Sequence, residues 1–331
     1  MLSRLDRRLV KVLPLITPVS VLIGVLLGSH LSGYTFLSPW IFAFMTFSGS
    51  ISSSFKEFLK VLTHPLPLIA TLFILHIIMP LIAMAFGFIA YSGDSFTITG
   101  LILAAAIPTG ITSFVWVAIY KGNTVLTLSI ILIDTILAPF VVPYTLSLLV
   151  GTKVQMDIAA MMQGLFYMIV LPSLIGMLLN QWTKGSIKQS WGPRLNPFSK
   201  IAMGVVVAIN SSVVSPFLRH FDARMLGLAC TVLILSSLGY LLGWVTARLM
   251  RWEPDIVIAL TFNGGMRNIS AGAVLAVSYF AAPVAIPVVL AMLFQQSLAS
   301  LFGYLLNRRS TPKKAGTDAI TTKLTPNVDK I

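Results

Sequence analysis

Charge is scarce in this chain: Asp, Glu, Lys and Arg make up 10% of its 331 residues, against about 25% in soluble domains. So small a polar supply cannot cover a water-facing surface, and with 56% hydrophobic residues the bilayer becomes the main solvent. Cysteine is nearly absent. The single Cys230 lies in an apolar run, which excludes an internal disulfide and leaves packing as its role. Enzyme signatures are missing too: there is no H-E-x-x-H, no G-x-S-x-G and no histidine pair at ligand spacing, with His30, His64 and His220 scattered at span ends. Acidic residues number only ten against 23 basic ones, a net charge of +13. The basic residues form no stripe that would suit nucleic acid; they cluster between hydrophobic runs, where they act as topology signals.

Ten apolar runs fall at about 12–29, 36–54, 64–91, 97–120, 124–150, 157–180, 197–215, 223–247, 256–280 and 282–306. With the N-terminus in the cytoplasm, Lys153, Arg219 and Arg224 are the basic residues on the far side, Arg267 lies within a span, and every other Lys and Arg is cytoplasmic. That distribution obeys the positive-inside rule and places both termini in the cytoplasm of a bacterial inner membrane. The basic start, with Arg4, Arg7, Arg8 and Lys11, runs into the first span without an A-x-A site, so no cleavable signal peptide is expected. From about 309 to 331 the chain is polar and aperiodic, and a disordered cytoplasmic tail is expected there.

The text LIGVLLGS at Leu22–Ser29 recurs as LIGMLLNQ at Leu174–Gln181, and the Ser-rich stretch Ser48–Ser54 echoes Asn210–Ser215. These echoes predict two five-helix repeats, 1–155 and 156–308. An odd number of spans per repeat inverts the second copy, the architecture of many secondary transporters. The fourth run is interrupted by Pro108-Thr109-Gly110-Ile111-Thr112-Ser113 and the ninth by Asn263-Gly264-Gly265-Met266-Arg267-Asn268. Backbone freed at such places must line protein or a wet cavity, and the positive ends of the resulting half-helices suit anions. A plain kink at a packed helix contact is the alternative. The predicted fold is therefore an all-α polytopic membrane protein whose broken fourth and ninth helices cross at the midplane.

The stretches IPTGITSFVWVAIYKGNTVLTLSIILIDTILAP, Ile107–Pro139, and LTFNGGMRNISAGAVLA, Leu260–Ala276, resemble the bile acid:sodium symporter family. The Lys121-Gly122-Asn123 turn and the Gly265-Met266-x-Asn268 run carry most of the likeness. The resemblance implies a core domain holding the crossing helices, a panel domain of the first, second, sixth and seventh spans, and alternating access between them. It also implies where sodium would sit. Where sodium-coupled members carry a glutamate and a glutamine on the ninth span, this chain has Asn263 and Arg267. A Ser-Asn pair becomes Ser113 and Phe114, a Ser and a Thr become Thr127 and Ile131, and a glutamine becomes Leu75. Ser113, Thr127 and Asn263 alone keep oxygen ligands, too few for a hard cation. Both sodium sites look dismantled.

Charge counting suggests the replacement. The family's loaded site, a carboxylate with a pair of sodium ions, carries one net positive charge, and Arg267 supplies one without any ion. Arg267 lies roughly 17 Å into its span and Asp134 roughly 15 Å into the fifth, which makes Asp134 its expected ionic partner at the midplane. Protonation of Asp134 would then release Arg267 to an anionic substrate, with a buried structural salt bridge as the alternative. His76, beside the missing glutamine, is a candidate proton relay or a histidine bonded to backbone. Thr112, Asn268 and Asn210 join Arg267, Asn263 and Ser113 as expected substrate contacts, and Thr127 joins Asp134 and His76 as a coupling residue. Gln295 and Gln296 in the last span are placed to approach the crossing. The sequence thus points to a secondary transporter of a small, partly hydrophobic organic anion, with no cofactor and with sodium doubtful and a proton open as coupling ion. Sodium symport through unfamiliar ligands, or a sensor or channel, remain the alternatives.

Overall fold

A computed structural model describes residues 2–53, 65–151, 154–219 and 222–310. Among these, every extended element is helical. We number the principal helices α1 (Leu2–Ser32), α2 (Ser38–Ser50), α3 (Pro65–Ala90), α4 (Ser95–Ala106), α5 (Thr112–Ile119), α6 (Thr124–Val150), α7 (Ile158–Trp182), α8 (Gly192–Val213), α9 (Ala223–Leu249), α10 (Pro254–Gly265), α11 (Ile269–Tyr279) and α12 (Ala285–Ser310). The expected tail lies outside the described residues from 311 onward, and α12 continues through 309–310.

Among the described residues six helical stretches are long and apolar enough to cross a membrane: Leu15–Ser32, α3, α6, α7, α9 and Ala282–Asn307. The chain is thus a multi-pass membrane protein. The fourth and ninth apolar runs do not appear as continuous helices because each is broken in its middle, giving the pairs α4/α5 and α10/α11. Many of the large apolar side chains facing outward, among them Leu22, Ile69, Ile89, Leu148 and Leu249, belong to these spans, as a lipid-facing surface requires.

Proline and glycine set the irregularities. Pro80 and Pro172 each lack an N–H and crowd the preceding turn, and directly before each the helix widens into a π turn, Ile74–Ile78 in α3 and Phe166–Val170 in α7. His76 sits within the first of these turns. In α1 the chain kinks at Gly28, with φ 20° and ψ −98°. The carbonyls this frees are taken from outside the helix: Ser215 Oγ donates to Val25 O at 2.7 Å and Arg219 Nη2 to Leu26 O at 2.8 Å. Starts of helices follow ordinary capping rules, with Asp94, Asn123, Asp157 and Asp222 each accepting a backbone N–H of the first turn.

Packing divides the helices into two groups. α1, α2, α7 and α8 pack chiefly on one another, with α1 against α8 and α2 between α7 and α8. The other group holds both broken pairs, with α3 against α4, α9 against α10, and α12 against α9, α11 and α4. The α9/α10 contact is backbone to backbone. A Cβ on Gly239 would lie 2.6 Å from Gly264 O, and one on Gly264 would lie 2.7 Å from Gly239 O. Small residues at such contacts let helices gain close packing where lipid supplies no hydrophobic drive. Gly239→Val should therefore lower stability by about 1–3 kcal/mol, read as a fall in melting temperature in detergent, whereas Gly33→Ala, with open space around it, should leave the melt unchanged.

Candidate functional site

The two breaks meet. Thr109 and Arg267 form an isolated antiparallel β-bridge, with Gly110 N–H donating to Met266 O at 3.0 Å and Asn268 N–H to Pro108 O at 2.7 Å. Each broken helix thereby satisfies backbone groups that the other frees, as a dry interior demands. Gly110 is needed here because a Cβ would stand 2.9 Å from Arg267 O. Thr109 Oγ1 faces Met266 O at 2.8 Å and Asn263 O at 3.2 Å, and Arg267 N–H donates to Gln295 Oε1 at 3.1 Å. Asn268 caps α11, its Oδ1 accepting from Ala271 N–H.

Next to this crossing the Asn263 amide closes a fully buried chain of hydrogen bonds. Ser113 Oγ donates to its Oδ1 at 3.0 Å, while its Nδ2 donates to Thr127 Oγ1 at 3.0 Å and to Ala259 O at 2.8 Å. The three expected oxygen ligands are therefore together, but bonded to one another.

The charged residues pair differently from the sequence expectation. Asp134 does not bond to Arg267. Its Oδ1 lies 2.6 Å from His76 Nε2, and its Oδ2 accepts the Thr109 N–H at 2.6 Å. The π turn of α3 brings His76 to Asp134, an arrangement that helical spacing in α3 does not disclose. Arg267 is 5% exposed, and neither Nη1 nor Nη2 has a hydrogen-bond partner among the described residues.

A cavity of about 300 Å³ adjoins the crossing. It receives Thr109, Gly110, Ile111 and Thr112 from the first break and Arg267, Asn268, Ile269 and Ser270 from the second. Thr17, Ser50, Ser53, Ser173, Ser199 and Lys200 contribute polar groups from α1, α2, α7, α8 and the residues after α2. Among the described residues no acidic side chain lines it. Asn210, expected at the substrate, is elsewhere: it is fully buried, with Ser38 Oγ donating to its Oδ1 at 2.8 Å, because it ties α8 to the start of α2. Both Gln295 and Gln296 border the cavity, and Gln296 Oε1 accepts from Trp116 Nε1 at 3.1 Å. Sequence reasoning missed Thr109 as an organising side chain, although its place between Pro108 and Gly110 in a broken span was the available signal. Lys200, read only as a topology signal, also reaches the cavity wall.

Crossing broken helices beside a cavity are what the sequence likeness implied, and wider comparison agrees. The profile of the Sodium Bile acid symporter family matches residues 39–218. The chain is 52% identical over 296 residues to YbaS of Bacillus subtilis, covering 89% of this chain and 97% of that one. It belongs to the sodium bile acid symporter family. Among more distant members, the protein named "Uncharacterized sodium-dependent transporter YocS", also of Bacillus subtilis, is 24% identical over 300 residues, 89% of this chain and 92% of its own. The protein named "Probable sodium/metabolite cotransporter BASS1, chloroplastic" of Arabidopsis thaliana is 24% identical over 307 residues, 90% of this chain and 74% of its own. The family is one of transporters, not enzymes.

Thr109→Val keeps the N–H to Asp134 but removes the hydroxyl that faces two carbonyls. It should destabilise the protein by about 1–3 kcal/mol, the cost of a buried carbonyl left unpaired, and Thr109→Ser should restore most of that loss in the same thermal melt.

Proposed function

We propose that this protein is a secondary transporter that carries a small organic anion by alternating access, with Arg267 standing in for the coupling ions of its sodium-dependent relatives. The observation that carries this reading is the Arg267 guanidinium, buried at the edge of the cavity, where among the described residues both terminal nitrogens are unpartnered and no acidic side chain lines the wall. A cation at the membrane midplane costs about 2.5–3.5 kcal/mol on insertion scales, and an anionic ligand offsets that cost. The first turns of α5 and α11 border the same cavity, so their N-terminal backbone dipoles add to the attraction. Apolar neighbours such as Phe42, Met45, Ile131, Ile169 and Met292 favour a ligand with a hydrophobic part, and the cavity volume suits a small one.

Sodium is not required in this reading. The Ser113, Asn263 and Thr127 oxygens are satisfied by one another, and the Asn263 amide places N–H donors where relatives would need a cation's ligands. The packing supports the inverted repeat of 1–155 and 156–308: α1 lies on α8 as α7 lies on α2, and α3 lies on α4 as α9 lies on α10. Polar wall residues from α1, α2, α7 and α8 come from the ends joined to Lys- and Arg-rich connections. With those connections in the cytoplasm of a bacterial inner membrane, the described conformation faces inward.

The test is the melting temperature of the purified protein against monocarboxylates and sulfonates, in sodium or in N-methylglucamine at equal ionic strength. An anion at 100 times its dissociation constant adds about 2.7 kcal/mol. The expected result is stabilisation that is equal without sodium and absent in Arg267→Gln. Stabilisation only with sodium, as the names of YocS and the chloroplast relatives suggest for those proteins, would overturn the sodium-free reading in favour of sodium symport.

A further inference from the structure

Among the described residues the buried ionisable side chains are His76, Asp134, Arg267 and Tyr240. Tyr240, on α9, donates its hydroxyl to Gln295 O and is occupied. The other three form a compact problem in charge. Thr109 N–H can only donate, so Asp134 Oδ2 is an acceptor. An ionised Asp134 then accepts at both oxygens, and His76 must donate its Nε2–H to Oδ1. In that tautomer His76 Nδ1 is a bare lone pair. It is buried and has no hydrogen-bond partner among the described residues. A buried, orphaned acceptor beside a carboxylate is a place for a proton.

We propose that His76, held by Asp134, is a proton-binding site through its Nδ1, and that one proton and one monoanion occupy the protein together. With Nδ1 bare, Asp134 and Arg267 cancel. With Nδ1 protonated, the imidazolium, the carboxylate and the guanidinium leave one positive charge, which one bound monoanion neutralises. The neutral states are therefore the empty one and the one holding both, and a carrier that rearranges through its neutral states moves the two together. The link to the anion site runs through one residue, Thr109. Asp134 holds the Thr109 N–H, Thr109 is bridged to Arg267, and α6 presents Ile131 and Thr135 to the cavity on either side of Asp134.

This inference rests on the anion-carrier reading but is tested without any transport substrate. With His30, His64 and His220 replaced by Gln, His76 is the remaining one of the four histidines, and its two ring nitrogens can be followed by 15N NMR from pH 5 to 9 in lipid nanodiscs. The expected result is a single titration in which Nδ1 gains the proton. Removing the neighbouring cation in Arg267→Gln should move the midpoint up by about one pH unit or more, and removing the anion in Asp134→Asn should move it down by a comparable amount. Arg267→Lys, which keeps the charge, should leave it in place. A His76 that holds one protonation state across the range, or a midpoint indifferent to Arg267→Gln, would overturn the proposal. That result would leave sodium-free stabilisation by anions untouched, and loss of that stabilisation would leave the titration untouched, so the two failures are distinguishable.

Discussion

Two stretches of irregular backbone lie in the middle of apolar runs, where an unsatisfied amide or carbonyl costs several kcal/mol. The reciprocal bonds of Gly110 to Met266 and Asn268 to Pro108 meet that constraint, and much of the site follows from it. Because the breaks must pair, Thr109 and Arg267 are brought side by side, and the first turns of α5 and α11 open onto one cavity. Because Thr109 N–H remains free of that pairing, a carboxylate can take it, which fixes Asp134 and through it His76.

Polar chemistry at the crossing is then divided into two parts with different properties. The Ser113–Asn263–Thr127 chain is neutral, with the Ser113 hydroxyl and both Asn263 amide protons matched to acceptors. The His76–Asp134–Arg267 group is open, with unmatched atoms at both of its nitrogenous ends. Satisfied buried networks rigidify a fold, while unsatisfied buried groups are where ligands act. The neutral chain and the open group thus meet at the crossing, Asn263 and Arg267 on one broken helix pair and Thr127 and Asp134 on α6.

The sequence disclosed the breaks, because Pro, Gly and Asn have few other reasons to gather inside a span, and it disclosed Arg267, because a cation at that depth is conspicuous. The family likeness singled out Ser113, Thr127 and Asn263, and the structure shows them bonded to one another. Sequence reasoning misassigned the partner of Asp134. Helical spacing gave the face and depth of Asp134 on α6, but a π turn in α3 shifts residues off the 3.6 period, so His76 could not be aimed from its position alone. Asn210 failed for a different reason: a polar residue inside a span either meets a ligand or ties two helices, and only its contact with Ser38 shows that it does the second.

The glycine contact between α9 and α10 joins backbones with no side chain between them, leaving no slack at that seam. Across the molecule the cavity wall is of another material. Met45, Met177, Met203 and Met292 line it together with small hydroxyl residues, and methionine is unbranched, polarisable and able to repack around different shapes. A wall of that kind moulds itself to its guest. If the guest is an anion, as proposed, selection falls to the fixed charges and helix ends, so molecules of different outline but equal charge compete for the same place.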